Sequence, residues 1–421
     1  MYGVANHAQG IGNWPTTPKM LTAARDFIEA AATSPHGVLL VLDCDVDELS
    51  AGTIISLTLQ LLGKPVDEIH VHFVQKGRSI FDQKEKADIE SFCREYKIGH
   101  IVILDQGSHE AAEALVIPSP PPGSNAPERK TLIIDHYYHF RTTPSTTVLS
   151  SKGHPPIAST SLLAYTLCCT LHPTAPDATA LLALVGTLSS SSTALEMLRS
   201  PPVSIYLNTA PALKKYTAKW INMLITLLNV ARRSPLAEGG DATRAAWDLL
   251  QFDPHANPTE WPTPKQIMSG TWGSQQLRDT VTRLTTLQER SRAEMDRLKR
   301  TPPKFSSDGK IAVIEIASPW HIHTLLVARW VGLLGMRNLQ NPKWPRLLAV
   351  AVANRGYVEG KVNFSVRRTA YAAEMDVDLV ALLKEYASML PRDTRRRMGE
   401  DFAWGHRELT GGSLEAGVWA R

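Results

Sequence analysis

The apolar run GVLLVLD (residues 37–43) is followed, after CDVD (44–47), by ELSAGTIISLTLQLLGK (48–64), whose apolar positions recur at helical spacing. The alternation repeats in IHVHFV (69–74), EKADIESFCREYK (85–97) and HIVILD (100–105), and a further strand follows in TLIIDHYY (131–138). Short apolar runs alternating with helices predict a parallel sheet with helices on both faces, because each parallel pair needs a long crossover. PSPPPGSNAPERK (118–130) is a surface insertion before the last of these strands.

From about residue 155 the pattern turns helical, in ASTSLLAYTLCCTL and ATALLALVGTLSSSSTALEML, and residues 200–300 end in a long, mixed-charge stretch suited to an exposed connecting helix. TPPKFSSDG then breaks the chain, and KIAVIEIA and RLLAVAVAN begin a second α/β region. A chain of 421 residues exceeds one ordinary core. The expected architecture is α/β: an N-terminal parallel-sheet domain (1–198), a helical connector (199–305) and a smaller C-terminal α/β domain (306–421).

Three strand ends carry acids or histidines: Asp43, Asp45 and Asp47; Asp105; and Asp135, His136 and His139. In an open parallel sheet the ligand crevice lies at the carboxyl ends of the strands, so these residues can converge. Crowded carboxylates repel unless a cation neutralises them, and several aspartates with an imidazole suit Mn²⁺ or Mg²⁺. The plain alternative for the first group is that Asp47 caps the helix that follows.

Other chemistries find little support. No GxSxG, Walker A or GxGxxG sequence occurs. Cys44, Cys93, Cys168 and Cys169 lack metal spacing and read as reduced, buried thiols. His321 and His323 share one side of a short segment with no third or fourth donor nearby in sequence. The net charge of +4 permits a polyanionic partner, and Arg392, Arg395, Arg396 and Arg397 read first as a solvated helix face. No run of eighteen apolar residues and no signal-like N-terminus is present, which predicts an intracellular protein of cytoplasm or nucleus with no membrane association.

The order DCDVDELSAG, ILDQG, LIIDHYYH and LLALVGTLSSS resembles motifs I to IV of the DHH phosphoesterase superfamily, which includes RecJ nucleases. GKVNFSVRRT and FAWGHRELTGGSL are similar to the serine-x-arginine strand and the glycine-rich segment of its associated C-terminal domain. The resemblance implies that Asp43, Asp45 and Asp105 hold one ion. Asp105, Asp47 and His136 would hold a second, with Asp135 orienting the histidine. It implies catalytic roles for Asp105, Asp135 and His136, and substrate contacts from His139, Arg367, Gly405 and His406.

The chain departs from the family's pattern at Glu48, which stands for a glycine, at Tyr137, which stands for a histidine, and at Ser190, which stands for an aspartate. Trp404 also replaces a glycine. The first metal site is then nearly complete and the second is short of a ligand. Two functions are expected as alternatives. One is a divergent Mn²⁺-dependent (or Mg²⁺-dependent) phosphoesterase acting on a phosphodiester or phosphoanhydride, including short or single-stranded nucleic acid. The other is a pseudo-enzyme of the same fold that binds nucleic acid or a protein partner.

Overall fold

The computed structural model describes residues 14–78, 80–106, 127–136, 145–190, 209–251, 266, 273–340, 346–398 and 402–419. It divides into two compact units, Met1–Ala231 with Gly240–Leu284, and Arg232–Gly239 with Thr285–Arg421.

The first unit is built on a sheet of β1 (Gly37–Leu42), β2 (Ile69–Phe73), β3 (Ile98–Leu104), β4 (Lys130–Asp135) and β5 (Thr146–Ser150), in the order β2-β1-β3-β4-β5. All four pairings are parallel. β1 and β3 are buried at every position, as a sheet covered on both faces requires. Helix α1 (Pro18–Thr33) precedes β1, α2 (Val46–Leu61) follows it, and α3 (Gln83–Glu95) joins β2 to β3. α4 (Thr160–Cys168) and α5 (Ala175–Ser190) come after β5.

Two layers of core result. Leu39, Val41, Ile101, Ile103 and Ile133 point to the side of α3, where Ile89 and Cys93 meet them. α2 packs against β1, α4 and α5, and Val46–Ser56 is buried without interruption. A helix buried all round needs no polar stripe, which is why its apolar pattern exceeds a simple amphipathic one. Strand β5 has no counterpart in the sequence reading: TTVLS is short and lies at the sheet's edge, where a weak alternating signal suffices.

Helices α6 (Thr209–Leu228), α7 (Val230–Arg233), α8 (Leu236–Leu250) and α9 (Gln275–Leu298) follow. The second unit contains a six-stranded sheet of β6 (Lys304–Phe305), β7 (Ile311–Ile316), β8 (Ala349–Asn354), β9 (Lys361–Arg368), β10 (Phe402–His406) and β11 (Leu409–Glu415). Its order is β10-β11-β9-β8-β7-β6, and only β7 and β8 run parallel, joined through α10 (His323–Gln340). Ala349, Ala351, Ala353, Val362, Phe364 and Val366 face a core closed by Leu379, Met398 and Val418.

All four cysteines are buried, and none is in a disulfide. Burial pushes the Cys93 thiol up to about 11 and the Cys168 thiol up to about 12, so neither is a nucleophile near neutral pH. No helix among the described residues is long and apolar enough to cross a membrane.

Candidate metal centre

In the first sheet the chain leaves β1 toward β2 on one side, while β3, β4 and β5 extend on the other. The strand order therefore reverses between β1 and β3, and their carboxyl ends flank the crevice where such sheets hold ligands. Asp43 follows β1, Asp105 follows β3, and Asp135 is the last residue of β4. Topology thus brings together residues far apart in sequence.

The aspartates after β1 take different local tasks. Asp45 is the N-cap of α2, its side chain accepting from the Asp47 amide at 3.2 Å. Asp47, which the sequence offered as that cap, instead serves another helix. Its two carboxylate oxygens accept from the amides of Thr160 (3.0 Å) and Ser161 (2.9 Å) in the first turn of α4. Asp47 is 3% exposed. Burial, followed by the neighbouring Asp105 charge, outweighs these hydrogen bonds and raises its carboxyl to about 7.

Asp105 sits at φ 52°, in the left-handed region, which aspartate tolerates better than most residues. Its amide donates to the Ile134 carbonyl at 2.9 Å, tying the turn to β4. Oδ1 lies 2.6 Å from His136 Nδ1 and accepts from the Thr160 hydroxyl at 3.1 Å. Burial alone would raise the Asp105 carboxyl, but the His136 charge and the hydrogen bonds from His136, Thr160 and Glu48 hold it below the usual range. Burial alone would lower the His136 imidazole, and the charge and hydrogen bond of Asp105, with Asp135 and Asp47 adding to them, raise it to about 9. Glu48 is pushed well above the ordinary range by burial and by the charges of Asp43, Asp105 and Asp45.

Asp105, Asp135 and His136 offer donor atoms all within 4.8 Å of one another, the one candidate metal cluster among the described residues. Two carboxylates and an imidazole fit a divalent cation of the Mn²⁺ or Mg²⁺ class. His136 Nδ1 already meets Asp105 Oδ1, so a cation taking those same two atoms would compete with the proton between them.

Other residues expected at the site are placed as follows. Asp43 is half-buried, with Oδ1 accepting from the Cys44 amide at 2.7 Å. Ser190 is exposed at the end of α5. Tyr137, His139 and the side chains of Trp404 and His406 lie outside the described residues. In the second unit, Arg367 lies on β9 opposite Leu409, and its Nε is buried with no hydrogen-bond partner among the described residues. Gly405 takes φ 134° in the β10–β11 hairpin, and a Cβ there would meet the Leu409 carbonyl at 2.6 Å, so backbone geometry already requires glycine. His323 is buried, its imidazole lowered to about 4 by that burial and by Arg232, and no third donor completes a metal set with His321 among the described residues.

Sequence reasoning missed Thr160 and Ser161. The signal was present in STS at 159–161, a capping run opening a helix: Ser159 caps α4 through the Leu162 amide at 3.3 Å. Only the packing of α4 against α2 shows that this helix start faces Asp47. Gly186 on α5 permits that approach, because a Cβ there would stand 2.5 Å from Ser161 Cβ and 3.0 Å from Asp47 Oδ1. In an ordinary helix, Gly→Ala stabilises by roughly 0.5–1 kcal/mol. Gly186→Ala is expected to do the opposite, costing about 1–3 kcal/mol through overpacking. A thermal midpoint equal to or above that of the parent protein would refute this placement of α5.

No known protein family matches the chain's sequence, and no curated protein matches it either. Solved structures do match. RecJ of Thermus thermophilus in complex with Mn²⁺ superposes with a TM-score of 0.59 at 18% identity, over 96% of this chain and 53% of that one. The chain therefore spans about half the length of that protein. The exonuclease RecJ bound to manganese gives a TM-score of 0.56 at 18% identity, over 95% of this chain and 91% of the other. The chain has a RecJ-like DHH fold. The DHH domain of a member of the s1p family of ribosomal proteins agrees, with a TM-score of 0.59 at 13% identity over 94% of this chain and 86% of that one. In this RecJ-like fold, the parallel sheet with Asp105, Asp135 and His136 forms the first unit, and the mixed sheet with Arg367 forms the second.

Proposed function

We propose that the protein is a metal-dependent phosphoesterase that hydrolyses a phosphodiester or phosphoanhydride, short or single-stranded nucleic acid being among its candidate substrates. The observation that carries this reading is the convergence of Asp105, Asp135 and His136 donors within 4.8 Å at the carboxyl ends of β3 and β4 in a DHH-type parallel sheet. Asp105, Asp135 and His136 would hold the ion, Mn²⁺ or Mg²⁺. When bound, it would polarise a phosphoryl oxygen and lower the pKa of a water.

The chain's own groups do the positioning. The Thr160 hydroxyl fixes the Asp105 carboxylate, and Asp47 anchors the α4 amides that carry Thr160. Likeness to the family suggests that Arg367, Gly405, His406 and His139 contact the substrate. Arg367 brings a guanidinium whose Nε has no partner among the described residues, a group that suits phosphate.

A binding scaffold is the second reading, favoured by one observation: both Asp47 oxygens are already taken by α4 amides, and Ser190 adds no carboxylate. Assays with Mn²⁺ on single-stranded DNA, single-stranded RNA, dinucleotides and pyrophosphate separate the two. Turnover on at least one is expected, whereas tight single-strand binding with no turnover on any would establish the scaffold.

A further inference from the structure

One face of the second sheet carries polar atoms that the fold itself leaves unmatched. Along β9, Val362, Phe364 and Val366 turn into the core, so Asn363, Ser365 and Arg367 share the opposite face. β11 sets Ser413 directly across from Asn363, Gly411 across from Ser365, and Leu409 across from Arg367. Three side-chain atoms on this face are buried with no hydrogen-bond partner among the described residues: Asn363 Oδ1, Ser413 Oγ and Arg367 Nε. A buried donor or acceptor without a partner is costly and uncommon in a folded chain, and here all three fall on one pair of strands.

A structural role does not account for them. Asn354 on β8, the neighbour of Asn363 on its other side, shows what a structural asparagine does here. Its Oδ1 accepts from the Ser318 amide at 3.0 Å and the Gly356 amide at 3.1 Å, and its Nδ2 donates to the Trp320 carbonyl at 3.0 Å. Asn354 is fully buried, whereas Asn363, Arg367 and Ser413 are half-buried and open to an incoming group. Gly411 adds no side chain between Leu409 and Ser413, and a Cβ there would run into the Phe364 carbonyl, so the floor between Ser413 and Arg367 stays bare. Across an antiparallel pair, opposed Cβ atoms stand about 4.5–5.5 Å apart. A group held by both Asn363 and Ser413 is therefore small, and it must donate to the asparagine oxygen while accepting from, or donating to, the serine hydroxyl. A hydroxyl does both. Arg367, about 13 Å farther along β9, presents a guanidinium suited to phosphate on the same face. RNA carries phosphates and hydroxyls together along its length.

We propose that Asn363 and Ser413 hold a ribose 2′-hydroxyl, so that the β9–β11 face selects RNA over DNA. The inference rests on the phosphoesterase reading above, which already gives Arg367 to the substrate, and it adds two residues to which the family resemblance gives no role.

Fluorescence anisotropy on the full chain, in EDTA so that nothing is cleaved, tests it with oligocytidylate and oligodeoxycytidylate of equal length, both ending in a 3′-phosphate. The bases are then the same, no terminal 3′-hydroxyl remains, and only the 2′-hydroxyls differ. The parent protein is expected to bind the RNA at least about tenfold more tightly, as two hydrogen bonds allow. Asn363→Ala and Ser413→Ala should each cut that preference about threefold and the double variant should abolish it, with DNA affinity unchanged within about twofold. Each variant deletes an unpaired polar atom, so its melting midpoint should hold; a midpoint several degrees lower would make the pair structural and overturn the proposal. Equal affinity of the parent protein for the two strands, or a preference that survives the double variant, would overturn it as well. Those results leave the phosphoesterase reading standing, because its own failure is the absence of turnover with Mn²⁺ on every substrate. If the parent protein binds neither strand, this inference and the nucleic-acid substrate class fall together.

Discussion

Asp105→Ala is expected to lower Mn²⁺ affinity by more than about 100-fold and to remove detectable phosphoester hydrolysis, with the fold intact. The reason is that Asp105 is the residue on which the site converges. His136, Thr160 and Glu48 all touch its carboxylate, and its backbone is held at φ 52° by the Asp105 amide to Ile134 carbonyl bond. Removing a partner that only orients a ligand typically costs about 10–100-fold in metal affinity, so removing a ligand costs more. Asp105→Asn separates charge from shape, since it preserves the acceptor for Thr160 and still loses binding. Calorimetry gives the affinity and a thermal melt without metal checks the fold. Retention of parent-level affinity in both variants would dismiss Asp105 as a ligand. Thr160→Val, which removes only the orienting hydroxyl, is expected to cost far less.

Without divalent metal, the stability of the first unit should fall as pH rises from about 5 to about 9, and Mn²⁺ should flatten or reverse that fall. The sign follows group by group. The Asp47 carboxyl titrates at about 7 in the folded chain against 3.8 ordinarily, so between those values the folded state binds more protons than the unfolded one, and stability drops as pH rises. His136 is raised from 6.5 to about 9, so its contribution is fully present below 6.5 and is lost as pH climbs through 9. Asp105 is depressed and acts only in acid, where its contribution is lost as pH falls. Each pKa unit corresponds to about 1.4 kcal/mol, which makes the combined loss on the order of a few kcal/mol. Mn²⁺ competes with these protons and binds better at high pH. Melts at about pH 6 and about pH 9, with and without Mn²⁺, read the effect directly. A metal-free midpoint that increases with pH would contradict the electrostatics described for Asp47 and His136.

The chain's local pattern carried much of the first unit. GVLLVLD and IHVHFV contain β1 and β2, HIVILD and TLIIDHYY cover β3 and β4 except for their first residues, Ile98–Gly99 and Lys130, and the acids after β1, β3 and β4 mark the crevice. Runs of this kind are legible because a strand covered on both faces must be apolar throughout, whatever surrounds it. Strand β5 escaped because an edge strand of five residues carries too short a pattern. The hairpin of β10 and β11 was legible only as a glycine-rich segment, its pairing with β9 being long-range.

The three aspartates after β1 show where local reasoning ends. Their spacing alone announced a cluster of charge at a strand tip, and the sequence by itself determined that these acids, Asp105, Asp135 and His136 would stand at carboxyl ends of parallel strands. Which acid does what was decided by tertiary structure. Asp45 caps α2, Asp47 reaches the start of α4 more than a hundred residues away, and Glu48 bends back to β1 and across to Asp105. Strand and helix follow from side-chain periodicity within one segment, whereas a carboxylate's partner depends on which distant amide, hydroxyl or imidazole the packing of α2, α4 and α5 delivers within about 3 Å.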